Sequence, residues 1–266
     1  MKPGDIVPLS FQDGLLLLSF VIALLGSYVA LSAAAHIRDS VREGESWHGY
    51  AVIGALSMGG IGIWGMHFIG MQAQNLPFDV EYALIPTLFS ALVAIAFSGV
   101  AFWYVGRRPF SLFRCAVAGL LAGLAVAAMH YIGVSAMRMP AFFQWNVGLV
   151  VLSVVIAVLA ATAAVWLAFN VQREWQRILA AGLMAIAVCG MHYTGVAAAV
   201  VVCTSAVGSE GGLRVGGLSL PYVAFIGAIL ILIAMRWQLY RSYKKYQRRL
   251  ANRMDILLSD GRTPVR

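Results

Sequence analysis

The chain has 266 residues, of which 61% are hydrophobic and 11% charged, with a mean hydropathy of +0.82 and a net charge of +8. A soluble domain is about a quarter charged and about half apolar, so this composition excludes a soluble enzyme, a disordered tail and a disulfide-rich secreted module. It predicts an all-α membrane protein that crosses the bilayer several times.

The chain begins Met1-Lys2-Pro3-Gly4-Asp5, without the basic n-region of a cleavable signal peptide. Residues 1–13 are read as an external N-terminus. Seven apolar runs follow, at 14–35, 49–71, 83–105, 115–137, 147–169, 178–203 and 219–238. Each is long enough to cross roughly 30 Å of hydrocarbon. The connections are short and polar, and helices are expected throughout because open strand edges cannot sit in lipid. Residues 14–240 are read as one seven-span domain, built from three helical-hairpin repeats plus a closing helix. Residues 241–266 form a basic tail.

Sixteen of the 19 Lys and Arg residues fall in one set of loops and the C-terminal tail, including Arg38, Arg107, Arg114, Arg173 and Arg241. The other set holds only Lys2, Arg138 and Arg214. The positive-inside rule puts the N-terminus outside and the C-terminus in the cytoplasm. The net charge then reflects anchoring beside anionic lipid; the partner is the lipid bilayer, and no nucleic acid is called for.

Comparing the chain with itself reveals three related segments in the even spans: Gly65-Met66-His67-Phe68-Ile69-Gly70, Ala128-Met129-His130-Tyr131-Ile132-Gly133 and Gly190-Met191-His192-Tyr193-Thr194-Gly195. The histidines are 63 and 62 residues apart, an interval that holds two membrane helices. All three fall at one depth, in the outer half of the membrane. No Asp, Glu or Lys lies within a span, so His67, His130 and His192 are the ionisable groups set deep in the apolar layer, Tyr and Cys aside. Such groups are costly there and face the bundle interior. Glycines crowd the same helices and permit close approach. Spans two, four and six are therefore expected to form an inner ring in which the histidines converge, with spans three and five facing lipid.

A single membrane histidine is ordinarily a helix–helix hydrogen-bond partner; three at one depth, each preceded by a methionine, point to a metal. The candidate ligands are His67, His130 and His192 with Met66, Met129, Met191, Met71 and Met137. Met71 follows His67 by four residues and Met137 follows His130 by seven, spacings that share a helical face. Imidazole with thioether suits copper, especially Cu(I). Three histidines also suit zinc with an open position, and two of them could ligate haem. Trp64, one turn before His67, is a candidate wall of the site, and Cys189 a minor candidate ligand.

These residues resemble the MHYT domain, a bacterial integral-membrane sensor family. Met191-His192-Tyr193-Thr194 spells its motif in full, and Met129-His130-Tyr131-Ile132 and Met66-His67-Phe68-Ile69 are variants of it. The resemblance covers about residues 10–240. It implies a copper site near the outer surface and a role in sensing oxygen, carbon monoxide or nitric oxide, diatomic gas ligands. Val134 and Val196 replace the methionine that often follows the motif glycine, which removes two thioethers. Many relatives continue into a cyclic-di-GMP module or a kinase. The 26 residues after Tyr240 are too few for one, so the chain is read as a stand-alone sensor or a fragment of a longer one, and not as an enzyme.

In the tail, Tyr243, Tyr246, Leu250, Met254 and Leu257 recur at helical spacing among basic residues. This is read either as an amphipathic helix on the inner leaflet or as a helix that docks a cytoplasmic signalling partner or its own copy, giving a homo-oligomer. The competing functions are a seven-span zinc hydrolase using Ser135 or Thr194, which lacks a carboxylate base, and a copper-delivery or oxidase-assembly factor. A retinal receptor is excluded because Lys2, Lys244 and Lys245 all lie outside the spans.

Overall fold

The computed structural model describes residues 2–106, 111–171, 173–204, 213–216 and 219–259. Among them, six helices are long and apolar enough to cross a membrane: α1 (Asp13–Arg42), α2 (His48–Gln72), α3 (Leu84–Gly106), α4 (Leu112–Ser135), α5 (Val147–Asn170) and α6 (Glu174–Ala198). The protein is a multi-pass helical membrane protein. The expected seventh span is the first half of α7 (Ser219–Ser259), a 41-residue helix that is not among those six. Arg107, Arg108 and residues 260–266 lie outside the described residues, as do the side chains of Tyr243, Tyr246, Leu250 and Leu257; Met254 is exposed.

The six helices pack as a closed ring in chain order, each against its two sequence neighbours, with α1 closing on α6. Helix α7 lies outside the ring, against α2. In α2, 83% of the apolar stretch is buried, against 22% in α3 and 11% in α5, so the expected inner and lipid-facing roles of these three helices hold. Helix α1 matches α4 in burial, because it packs on both α2 and α6.

Small residues make the close crossings. A Cβ on Gly26 of α1 would meet the backbone of Gly62 in α2, and one on Gly59 of α2 would meet the backbone of Ala94 in α3. Both contacts fall where α2 departs from α-helical winding: Leu56–Gly65 is a ten-residue π-helix, and α-helix resumes at Met66. Wide turns of this kind often sit beside functional residues; here the next turn carries His67.

Two boundaries differ from expectation. The fourth span was expected to reach residue 137 but its helix ends at Ser135, and the sixth was expected to reach 203 but its helix ends at Ala198. The chain beyond each enters short strands. Strands β1 (Glu81–Ala83), β2 (Met137–Arg138) and β5 (Arg214–Gly216) form an antiparallel sheet in the order β2-β1-β5, and β3 (Ala141–Trp145) pairs with β4 (Ala199–Cys203). The valine run at 200–202 favours strand over helix. The N-terminal segment joins the second sheet: Val7 N–H donates to Val201 O at 3.0 Å, and Ile6 bridges Val202. Together these strands cap one end of the helical ring, so the expectation of helix throughout holds for the membrane layer and not for this lid.

Candidate metal centre

Three helices deliver the histidines to one level under the lid. His67, His130 and His192 lie five or six residues before the ends of α2, α4 and α6. None has any exposed surface. The ring centroids are 4.9, 5.0 and 5.2 Å apart, and the planes are nearly perpendicular to one another, at 76°, 89° and 82°. His67 Nδ1 lies 3.1 Å from His192 Nδ1 and 3.2 Å from His130 Nδ1.

Pairwise hydrogen bonding does not account for this geometry. An imidazole nitrogen has one in-plane position, occupied by a proton or by a lone pair. If His67 Nδ1 carries a proton it donates to one neighbour, and the other contact is then unmade. If it carries a lone pair it accepts from one neighbour only. A cation at the centre accepts all three lone pairs at once. Metal–nitrogen bonds of about 2.0–2.1 Å in a tetrahedral site put ligand nitrogens about 3.3 Å apart, close to the two spacings observed. Among the described residues, this trio is the group of His, Cys, Asp or Glu side chains close enough to hold a metal ion. Its donor set, three neutral nitrogens, suits copper or zinc better than magnesium or calcium.

The opposite ring nitrogens explain the motif glycine. All three Nε2 atoms are buried without a hydrogen-bond partner. A Cβ at Gly133 would collide with His67 Nε2, one at Gly195 with His130 Nε2, and one at Gly70 with His192 Nε2. Each repeat's histidine is thus received by the glycine of another repeat, in a cycle that visits all three. Glycine is needed there for space, not for backbone torsion.

Each histidine-bearing helix is also tied to an odd-numbered helix through a serine. Tyr131 and Ser153 oxygens are 2.6 Å apart, and Tyr193 and Ser19 oxygens 2.8 Å. In the first repeat Phe68 has no hydroxyl, and Trp64, one turn earlier, donates to Ser90 Oγ at 3.2 Å and to Thr87 O at 3.2 Å. Ser19, Ser90 and Ser153 are fully buried, and each is the seventh residue of its helix. Each donates its own hydroxyl to the carbonyl three residues earlier, which leaves Oγ as the acceptor and the aromatic group as the donor. Trp64 is therefore anchored on α3. The serines were not singled out from sequence; their shared place in the odd helices was the available signal.

The methionines are buried, but the structure does not treat them alike. Met66, Met71 and Met129 sit in the main apolar core, and Met191 packs with Ala127 and Ala157. Met137 falls beyond the end of α4, so it shares no helical face with His130; it lies on β2 opposite Tyr82. Cys189 is buried and stands outside the trio. Ser135 and Thr194 both donate to carbonyls of their own helices, at 2.7 Å.

A family model described as MHYT, the bacterial signalling protein N-terminal repeat, matches residues 60–118 and 123–181. The chain belongs to the MHYT family. The matched MHYT segments begin at 60 and 123, the same 63-residue interval that separates His67 from His130, and His192 lies beyond the second segment. The chain is similar to the bifunctional diguanylate cyclase/cyclic di-GMP phosphodiesterase MucR of Pseudomonas aeruginosa, at 38% identity over 83% of this chain and 33% of the relative. It is also similar to the cyclic di-GMP phosphodiesterase NbdA of the same organism, at 32% identity over 94% of this chain and 32% of the relative. The signalling protein YkoW of Bacillus subtilis is 28% identical over 73% of this chain and 24% of its own length. The chain thus spans about a third or less of these curated relatives. No solved structure matches it.

Proposed function

We propose that this MHYT sensor domain holds a copper ion between His67, His130 and His192, near the outer surface of a bacterial inner membrane, and signals when a diatomic gas binds there or the metal changes redox state. The observation that carries the reading is that His67 Nδ1 lies within 3.1 and 3.2 Å of the Nδ1 atoms of both other histidines, which pairwise hydrogen bonds leave unexplained. In this reading residues 1–13 and the lid face outward, residues 14–240 are the seven-span sensor, and residues 241–266 are the cytoplasmic tail. Met71 and the motif residues Met66, Met129 and Met191 are secondary candidates as thioether ligands. Met137 is a weaker one now that it is on the lid.

Signal output would run through α2 to α7. Among the described elements, α7 packs mainly on α2, the helix that carries His67 and the π-helical segment. A partner reached through α7, or a further part of the chain, would carry the response; the named activities of the relatives point to cyclic di-GMP signalling. Zinc fits the same three nitrogens. The hydrolase reading loses support because Ser135 and Thr194 are turned to their own helices.

Metal analysis of protein purified in mild detergent tests the reading. The wild type is expected to hold about one copper per chain, and each single His→Ala variant to lose most of it. A second replacement should add little, because the shared coordination is already broken. Stepwise loss in equal parts, or a wild type that takes up no metal and is no more stable than the triple variant, would overturn it.

A further inference from the structure

On the side of the histidines away from the lid, the helical ring borders a partly open cavity of about 70 Å³. All six membrane helices contribute to its walls, which are aliphatic and aromatic apart from Ser98 and are rich in alanine. The repeat orders its roof. Ile63, Val126 and Val188 line the cavity, and each precedes a motif histidine by four residues. Met191, next to His192, lines it as well. Four residues make about one helical turn, so these three side chains line the cavity about one turn from the histidines of their own helices.

We propose that this cavity is a second site, which binds a small apolar molecule of diatomic size dissolved in the bilayer and presents it to the histidines through the ring of Ile63, Val126 and Val188. Three observations support it. A cavity with such walls stays dry and accepts apolar guests; an engineered one of about 150 Å³ binds benzene or xenon. This one is roughly half that size, which matches a diatomic guest. The histidines have no exposed surface, so a ligand reaches them only through the protein interior. Delivery to the histidines rests on the metal reading above; binding in the cavity does not.

The test uses the full chain in lipid nanodiscs with its methionine methyl groups labelled. Dissolved dioxygen is paramagnetic and relaxes nearby methyl signals. Met184 and Met191 line the cavity, whereas Met71 and Met137, equally buried, do not. Relaxation of the first pair is expected to be enhanced several-fold over the second. Ala161→Leu and Ala164→Leu, each placed to fill the cavity, should remove the difference; two variants are used in case one misfolds. Equal enhancement at all four methyls, or a difference that survives both substitutions, overturns the proposal. In metal-loaded protein, Ala161→Leu should slow nitric oxide association several-fold with bound metal per chain unchanged; an unchanged rate sinks the delivery role. Absence of metal from the wild type would sink the reading of the histidines, while the methyl signals would still decide the cavity.

Discussion

His67 presses its Nε2 against Gly133, the glycine three residues after His130, where any side chain would collide with the ring. The contact fixes how far the imidazole can swing, and so where Nδ1 points. Gly133→Ala should displace His67 from its partners, lower bound metal sharply, and cost about 1–3 kcal/mol of stability, as overpacking does. Gly190→Ala is the control: nothing lies within 4 Å of a Cβ there, and alanine in a helix is favourable by up to about 1 kcal/mol. Metal content and thermal unfolding of the two variants should diverge. If both keep their metal, the glycine does not position the ring.

The tyrosine–serine ties make a second prediction about direction. Ser153 donates to Val150 O and accepts from Tyr131. Tyr131→Phe removes one hydrogen bond, worth about 0.5–1.5 kcal/mol, whereas Ser153→Ala leaves a part-buried phenol without its acceptor, at about 1–3 kcal/mol. Phe68 already occupies the equivalent place in the first repeat, so Tyr131→Phe should keep its metal. Denaturant unfolding in detergent ranks the two, and the reverse order would contradict the assignment of donor and acceptor.

Much of this centre was legible in the sequence. The 63-residue interval and the shared depth put His67, His130 and His192 together before any coordinates, because helix rise converts residue number into depth. What sequence could not give was rotation and cross-chain contact. Which ring nitrogen points inward depends on the collision of Nε2 with a glycine on another helix, and no local pattern encodes that. Met137 was misjudged for a related reason: extending the helical face past Ser135 ignored the strand-forming pull of the lid. The valine run at 200–202 held that signal, but high hydropathy alone reads the same for a buried strand and for the end of a span.

Acid should empty the site. Imidazole binds metal only through a free lone pair, so protons compete with the ion. Bound metal per chain, measured after equilibration across mildly acidic to neutral buffers, is expected to fall as pH falls and to recover on return to neutrality. Occupancy that rises on acidification would point to ligands other than the histidines.

The charge split predicts an orientation that can be checked. Reporter fusions in the loop at 106–114 should behave as cytoplasmic, and fusions at 138–146, on the lid side, as external. The opposite pattern would move the histidines to the inner half of the membrane.

Removal of residues 241–266 should leave bound metal per chain unchanged while abolishing output to any cytoplasmic partner. Residues 241–266 follow the expected seventh span, a membrane thickness from the motif histidines in this reading, so loss of metal from a well-folded truncation would contradict this division of labour.

The ring closes between distant parts of the chain. Ser19 and Tyr193 are 174 residues apart in sequence, and Val7 pairs with Val201 in the lid. A chain entering the membrane from its N-terminus therefore holds His67 and His130 for the whole time that α5 and α6 are still being made, with the third nitrogen missing and the cap unbuilt. In the proposed metal site, ion capture would then wait for the sixth helix. Loading would report that the polypeptide has been inserted through its sixth helix, and a molecule stalled or cut before His192 would stay empty however much metal surrounded it.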